Sequence, residues 1–305
     1  MPNTPTLTVI IPHLNAPEIL AWCLRALADQ RDDGVSFDVI VVDNGSAQRP
    51  EAVCAAHDFV RLVDEPTPGP GPARSCGARR ARSDLLAFID CDCIAQPGWI
   101  ACIAGYLASH PETDVIGGDV RIARVDPERP TAIEAYESVY GYRFQLYIEH
   151  HHYTGTGNMA VRRPIFERVG DFAGIQIAED MDWGRRATAL GIRIDYVAGM
   201  RIETPARDDF QQLTRKWDRH IGHDFEKVSG SIGHLRWTLR ALALAASPLA
   251  EIARIIRSNR ISGLRERGLA FWCLMRIRLY RSRRMLALLI GGDSNALSGA
   301  WRRRS

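Results

Sequence analysis

Short apolar runs alternate with stretches at helical spacing through the first half of the chain. Leu7-Thr8-Val9-Ile10-Ile11 is a β-branched run closed by Pro12 and reads as a buried strand. Ile19, Leu20, Cys23, Leu24 and Leu27 then recur on one helical face. Residues 37–42 give a second strand, 60–63 a weaker third, 85–89 a wholly apolar fourth, and 114–124 another. A helix is predicted from about Ala73 to Ala81, and a further one carries Trp99, Cys102, Ile103 and Tyr106 on one side. Strands alternating with helices predict an α/β fold with a doubly wound, mostly parallel sheet. Past Leu235 the apolar stretches 241–250, 269–275 and 285–290 predict helices, none reaching the ~20 apolar residues of a membrane span. A joint is expected near Ser229-Gly230-Ser231-Ile232-Gly233, dividing an α/β domain over 1–228 from a basic, amphipathic helical region over 229–305.

Charge sharpens that division. The net charge of +3 hides fifteen Arg, no Lys and three acidic residues from Leu235 onward, against 24 basic and 33 acidic side chains before it. An acidic body with a basic tail suggests that the tail meets an anionic surface. The rival reading is a helical cap or dimer face. RNA is a poorer partner, because no nucleic-acid recognition motif accompanies the charge. Seven cysteines, an odd number without a C-x-x-C pair, argue for a reducing compartment rather than a disulfide framework or zinc site. Met1 to Pro5 holds no apolar leader, so the expected location is the cytoplasm, with the tail peripheral on the inner membrane face.

The apolar run at 85–89 ends in Asp90-Cys91-Asp92. In an open α/β sheet ligands gather outside the carboxyl ends of the strands. Two carboxylates this close repel each other unless a cation lies between them, and a hard divalent ion, Mg²⁺ or Mn²⁺, suits oxygen ligands shared with a diphosphate. A solvated loop is the competing account. The second strand ends in Asp43-Asn44-Gly45-Ser46, a turn suited to a nucleoside, or one in which Asp43 simply caps a helix. Gly69-x-Gly71 is not a dinucleotide fingerprint, because prolines separate its glycines. Glu179, Asp180 and Asp182 stand at a helix start, where the dipole favours acidic residues in any case.

Taken in order, the segments from Val9-Ile10-Ile11-Pro12-His13-Leu14-Asn15, Val41-Val42-Asp43-Asn44-Gly45-Ser46, Ala73-Arg74-Ser75-Cys76-Gly77 and Phe88-Ile89-Asp90-Cys91-Asp92 to Gly155-Thr156-Gly157-Asn158 and Glu179-Asp180-Met181-Asp182-Trp183 resemble those of family 2 glycosyltransferases. The similarity covers roughly residues 7–225. It implies the GT-A fold and inverting, hexosyl-type transfer, as in polysaccharide biosynthesis, from a nucleotide sugar, foremost a UDP-sugar. The implied acceptor is a hydroxyl on a glycan, lipid-linked or small-molecule substrate. By the same resemblance Pro12, Asn15, Asp43, Arg74, Asp90 and Asn158 belong to the donor site, with Asp43 reading the base and Asn158 in the loop lining the sugar pocket. Asp92 with Asp90 would hold the metal, and Asp180, beside Glu179, would be the general base.

The chain departs from the family pattern at three places. Leu14 stands where an aromatic residue usually adjoins the base, and Ser75 where Asn is usual. Thr204 replaces a His that commonly completes the metal site, which points to His220 or His223 as a substitute, to an extra water on the metal, or to a degenerate nucleotide-sugar-binding protein without activity. A peripheral scaffold is a further alternative. The Tyr- and His-rich segment 136–153 suits a sugar or lipid acceptor, or packs a helix.

Overall fold

A computed structural model describes residues 5–226 and 228–291, without the side chains of Lys216, Arg219 and His223. In chain order the first elements are β1 (Leu7–His13), α1 (Pro17–Ala28), β2 (Phe37–Asp43), α2 (Glu51–Ala55), β3 (Val60–Asp64), α3 (Pro70–Arg80), β4 (Leu85–Ile89), β5 (Ile94–Ala95), α4 (Trp99–Ser109) and β6 (Val115–Ala123). There follow α5 (Ala132–Tyr140), α6 (Phe144–His151), β7 (Asn158–Arg162), α7 (Arg163–Val169), α8 (Glu179–Ala189), β8 (Ile194–Pro205), α9 (Phe210–Phe225), α10 (Gly230–Ala246), a 3₁₀ turn over Ser247–Glu251, α11 (Ile252–Arg257) and α12 (Gly263–Leu289).

The chain divides into two compact units, one of residues 1–121 and 142–205, the other of 122–141 and 206–305. The sequence analysis sets the joint near 229 instead. Two packing facts account for the difference. Residues 229–233 are the cap and first turn of α10, and α5 shares an apolar core with α9, α11 and α12 through Tyr136, Val139, Leu213, Ile255, Ala270, Leu274 and Ile277. A buried ion pair between Arg124 and Glu266 pins the same unit.

In the first unit the sheet runs β3-β2-β1-β4-β7-β6-β8-β5. Strands β1 to β4 are parallel, with Leu7 opposite Phe37 on one side and Leu85 on the other. β7 pairs antiparallel to β4, setting Asn158 opposite Ile89, and β6 pairs antiparallel to β7. β1, β2 and β4 are apolar at nearly every position because helices cover both faces of the parallel part. One core, under α1 and α4, gathers Leu24, Val39, Ile89, Trp99 and Ile103; the other, under α3, α7 and α8, gathers Ile10, Phe88, Phe166, Phe172 and Trp183.

Helix α3 begins at Pro70, three residues before the expected start. Proline is tolerated in a first turn because its missing N–H would have no intrahelical partner there. Gly71 is required by close approach, since a Cβ at that position would lie 2.0 Å from the carbonyl oxygen of Ala173.

Candidate active site

The order of strands reverses between β1 and β4. β1 leads through α1 to β2 on one side, whereas β4 has β7 on its other side. The crevice beyond the carboxyl ends of these two strands is the place where an open α/β sheet binds ligands. The loops after β1, β2 and β4 all open there.

At the β1–β2 corner a closed polar network forms. In the parallel register His13 lies opposite Asp43, and its Nδ1 lies 3.0 Å from Asp43 Oδ1. Ser46 donates its hydroxyl to the same oxygen at 2.6 Å and its backbone N–H to Oδ2 at 3.1 Å. Burial pushes the Asp43 carboxyl up, but the hydrogen bonds from Ser46 and His13 outweigh it and hold the pKa below the ordinary value. Asn15, at a left-handed φ of 52°, accepts from the Ala47 N–H at 2.8 Å, while its own N–H donates to Ser46 Oγ at 2.9 Å. Pro12 is half-buried beside this corner, and Leu14 is 52% exposed at its mouth. Asn44 adds a strap, donating to the carbonyls of Glu65 and Thr67 at 2.8 Å each and accepting from the Gly69 N–H at 2.7 Å. His13, Asn44 and Ser46 lie inside the motifs of the sequence analysis without a role there. The signal for Asn44 and Ser46 was the Asp-Asn-Gly-Ser composition of the turn; His13 had only its place at the end of the first strand.

The second cluster forms where α3, β4 and α8 meet. Arg74 is buried, with 4% of its side chain exposed, and forks between Asp90 and Glu179 Oε1, the latter at 3.0 Å. Burial opposes its charge, but the two carboxylates beside it more than restore it and hold the guanidinium above its usual value. Its Nε is buried without a hydrogen-bond partner. Arg74, Asp90 and Glu179, 105 residues apart at the extremes, therefore form one ion triad. Asp180 follows on the first turn of α8. Burial and the neighbouring Glu179 push its carboxyl up, against the Met181 N–H it accepts at 2.7 Å and the charge of Arg74. Gly184, one turn on, admits Tyr153: a Cβ there would lie 2.3 Å from Tyr153 Cβ. Tyr153 stacks on Tyr147 with centroids 5.3 Å apart and lies close enough to Asp180 for that charge to raise its phenol pKa to about 12, after burial as the larger cause. Trp183 donates to the Gly170 carbonyl at 2.9 Å, and Arg186 bonds the carbonyls of Val169 and Asp171, which fixes α8 under the cluster.

Asp90 and Asp92, with Cys93, bring ligand atoms within 4.8 Å of one another. Burial of its surroundings and repulsion from Asp90 push the Asp92 carboxyl up, although the side chain reaches solvent. The Cys93 thiol is buried, which raises its pKa well above the ordinary value, and it donates to Asp92 Oδ1 at 3.5 Å. Two carboxylates that repel each other are the oxygen donor set of a hard divalent cation, so the residues fit Mg²⁺ or Mn²⁺. Gly157 keeps the space beside them open, for a Cβ there would stand 2.5 Å from Asp90 Oδ2. Thr204 is buried beside the Cys93 thiol and the Tyr142 phenol, whose pKa burial lifts to about 12. A phenol and a hydroxyl thus stand beside the acidic pair where the sequence analysis looks for a histidine. His220 lies exposed on α9 of the second unit, against Trp217, and the side chain of His223 lies outside the described residues.

Asn158, expected in the loop lining the sugar pocket, is the first residue of β7. It is fully buried, accepts from the Trp99 indole N–H and donates to the carbonyls of Asp119 and Met200, each at 2.9 Å. All its polar atoms are engaged in tying α4, β6 and β8 together, which leaves none to line a pocket. Ser75 likewise accepts from the Phe172 N–H at 2.9 Å, an inward role.

A model of glycosyl transferase family 2 matches residues 8–170, more than half of the chain. The chain is 30% identical over 70% of its length, and 70% of the relative's, to the glycosyltransferase AglE of Haloferax volcanii. It is 28% identical over 71% of its length to the pre-mycofactocin glycosyltransferase of Mycobacterium tuberculosis, of which it spans 45%. Among solved structures, S. aureus TarS 1–349 in complex with UDP-GlcNAc superposes on 98% of this chain and 92% of that one, with a TM-score of 0.52 at 15% identity. Glucosyl-3-phosphoglycerate synthase from M. tuberculosis in complex with Mn²⁺, UDP and phosphoglyceric acid superposes on 74% of this chain and 80% of that one, with a TM-score of 0.50 at 18% identity. The protein is a glycosyltransferase with the GT-A fold and belongs to family 2.

Proposed function

We infer that the chain moves a sugar from a nucleotide-diphosphate donor, a UDP-sugar, to a hydroxyl acceptor on a glycan, lipid-linked or small-molecule substrate, with inversion at the anomeric carbon. The observation that carries this reading is the convergence of Asp90, Asp92, Arg74, Glu179 and Asp180 at the carboxyl end of β4, beside the His13–Asp43–Ser46 corner. The complexes of the two similar structures, one with Mn²⁺ and UDP and the other with UDP-GlcNAc, support the donor class.

The residues divide the work as follows. Asp43, held ionised by Ser46 and His13, accepts a hydrogen bond from the base, and Pro12, Leu14 and Asn15 form the wall beside it. Asp92, with Asp90, would hold Mg²⁺ or Mn²⁺, which when bound offsets the negative charge growing on the leaving diphosphate. Arg74 neutralises Asp90 and Glu179 and holds them in register with α8. Asp180 takes the proton from the incoming hydroxyl. Burial raises its pKa and so makes it a stronger base, and help of this kind is typically worth about 10²–10⁴-fold. Asn158 acts at one remove, by holding the strands that carry Gly157 and Thr204.

Calorimetric titration of UDP with and without Mn²⁺, on the wild type and Asp92→Asn, tests the donor site. Metal-dependent binding lost in the variant is expected. Binding that ignores both the metal and the substitution would overturn the metal assignment, and no binding of UDP would overturn the donor.

A further inference from the structure

We propose that the outer face of α10, continued through the 3₁₀ turn and α11, is a docking surface for an anionic lipid bilayer. Helix α10 is apolar on two opposite sides. Its inner side is accounted for: Trp237 and Ala241 are buried against Met285 and Leu288, and the Trp237 indole donates to the Met285 carbonyl at 2.8 Å. Its outer side carries Ile232, Leu235, Leu239 and Leu242 at 70%, 60%, 57% and 55% exposure. At 100° per residue these four fall within one narrow stripe, with Ala246 inside it and Ala243 at its edge, so no polar group interrupts it. The band runs on through Leu249, Ile252 and Ile256, all exposed. Ile252 and Ile256 also line an apolar groove of ≈ 250 Å³ with Ile255 and Phe271, and Arg267 stands at its edge. An exposed apolar band of this length is unusual on a surface that faces only water.

Charge selects the occupant. From Gly230 to Gly291 the chain has twelve Arg, no Lys and two acidic residues, Glu251 and Glu266. Both carboxylates are engaged within the unit, Glu266 with Arg124 and Glu251 with Arg254. Arg236 and Arg240 run along one edge of the stripe on α10, Arg240 paired with Asp224 at 3.1 Å, and Arg254 and Arg257 are exposed on α11. An apolar stripe bordered by arginine is the pattern that lets a helix lie in the headgroup layer of a membrane with anionic lipid. A second copy of the chain would bring the same arginines to face one another. No described helix is long and apolar enough to cross a membrane, which agrees with a helix lying along the surface.

The test is co-sedimentation of the full chain with vesicles of phosphatidylcholine alone and of phosphatidylcholine with a third phosphatidylglycerol. Binding to the anionic vesicles, and at least tenfold weaker binding to the neutral ones, is expected. Leu235→Glu/Leu239→Glu changes exposed positions only and should abolish binding while UDP affinity and the circular dichroism spectrum stay unchanged. Arg236→Gln/Arg240→Gln should weaken it about 25-fold, at roughly fivefold for each basic residue near the surface. Failure of the wild type to bind anionic vesicles would overturn the proposal. So would binding that survives the Leu→Glu pair, which would be adsorption by charge alone. A dimer in sedimentation velocity that this pair converts to monomers would assign the stripe to a second copy instead. None of these readouts depends on glycosyl transfer.

Discussion

Arg74→Met probes the ion triad directly. The guanidinium is 4% exposed and compensates two carboxylates, Asp90 and Glu179, whose side chains are 41% and 23% exposed. At 4 Å and an effective dielectric near 20, each such pair gains about 4 kcal/mol of Coulomb energy, most of it offset by the desolvation of the charges. Removing one partner of a fully buried pair costs about 3–5 kcal/mol, because the other charge is left alone. Here solvent reaches both carboxylates, so a loss of about 2–3 kcal/mol is expected, measured as a fall in the urea midpoint at constant slope at pH 7. Glu179→Gln in the Arg74→Met background should recover part of that loss, since it removes one of the stranded charges. Strict additivity of the two substitutions, or a loss below about 0.5 kcal/mol, would refute the view that Arg74 holds the site by charge.

Asp180→Asn should lower kcat about 10²–10⁴-fold with UDP affinity unchanged, and the acid limb of the wild-type rate profile should lie above the ordinary carboxylate value of 3.8, because burial raises this pKa; equal losses in UDP binding would remove Asp180 from the base role. Asp43 shifts the other way. Its folded pKa is depressed, so its contribution to stability is complete above the unfolded value of 3.8 and is lost as pH falls through the folded one, and Asp43→Asn should flatten that acid limb of a thermal melt series. Asn158→Ala strands the Trp99 indole and two carbonyls and should cost at least about 3 kcal/mol in urea unfolding, at roughly 1–3 kcal/mol for each unpaired buried group, while the folded fraction keeps its UDP affinity. Gly118→Ala sets a Cβ 1.9 Å from the Met200 carbonyl oxygen and 2.3 Å from Asn158 Nδ2, and about 3 kcal/mol of overpacking should appear in the same titration.

The sequence by itself determined the parallel half of the sheet, because strands buried on both faces read as unbroken apolar runs, and β1, β2 and β4 are such runs. It also located the acidic turns, since a carboxylate directly after such a run has nowhere to be but the mouth of the sheet. The antiparallel pairing of β7 with β4 and β6 was not legible, because strand direction depends on contacts between residues 42 to 77 positions apart and not on local pattern. For the same reason the sequence could not tell that Asn158 faces inward, that Asp43 is held by His13 and Ser46, or that Arg74 bridges two carboxylates. Side-chain period fixes which face of a strand a residue takes; only the tertiary structure decides what stands opposite it. The second unit shows the same limit. Its basic and apolar composition was plain, but that α5 belongs with it, and that α10 keeps a leucine stripe outside after burying Trp237, followed from packing alone.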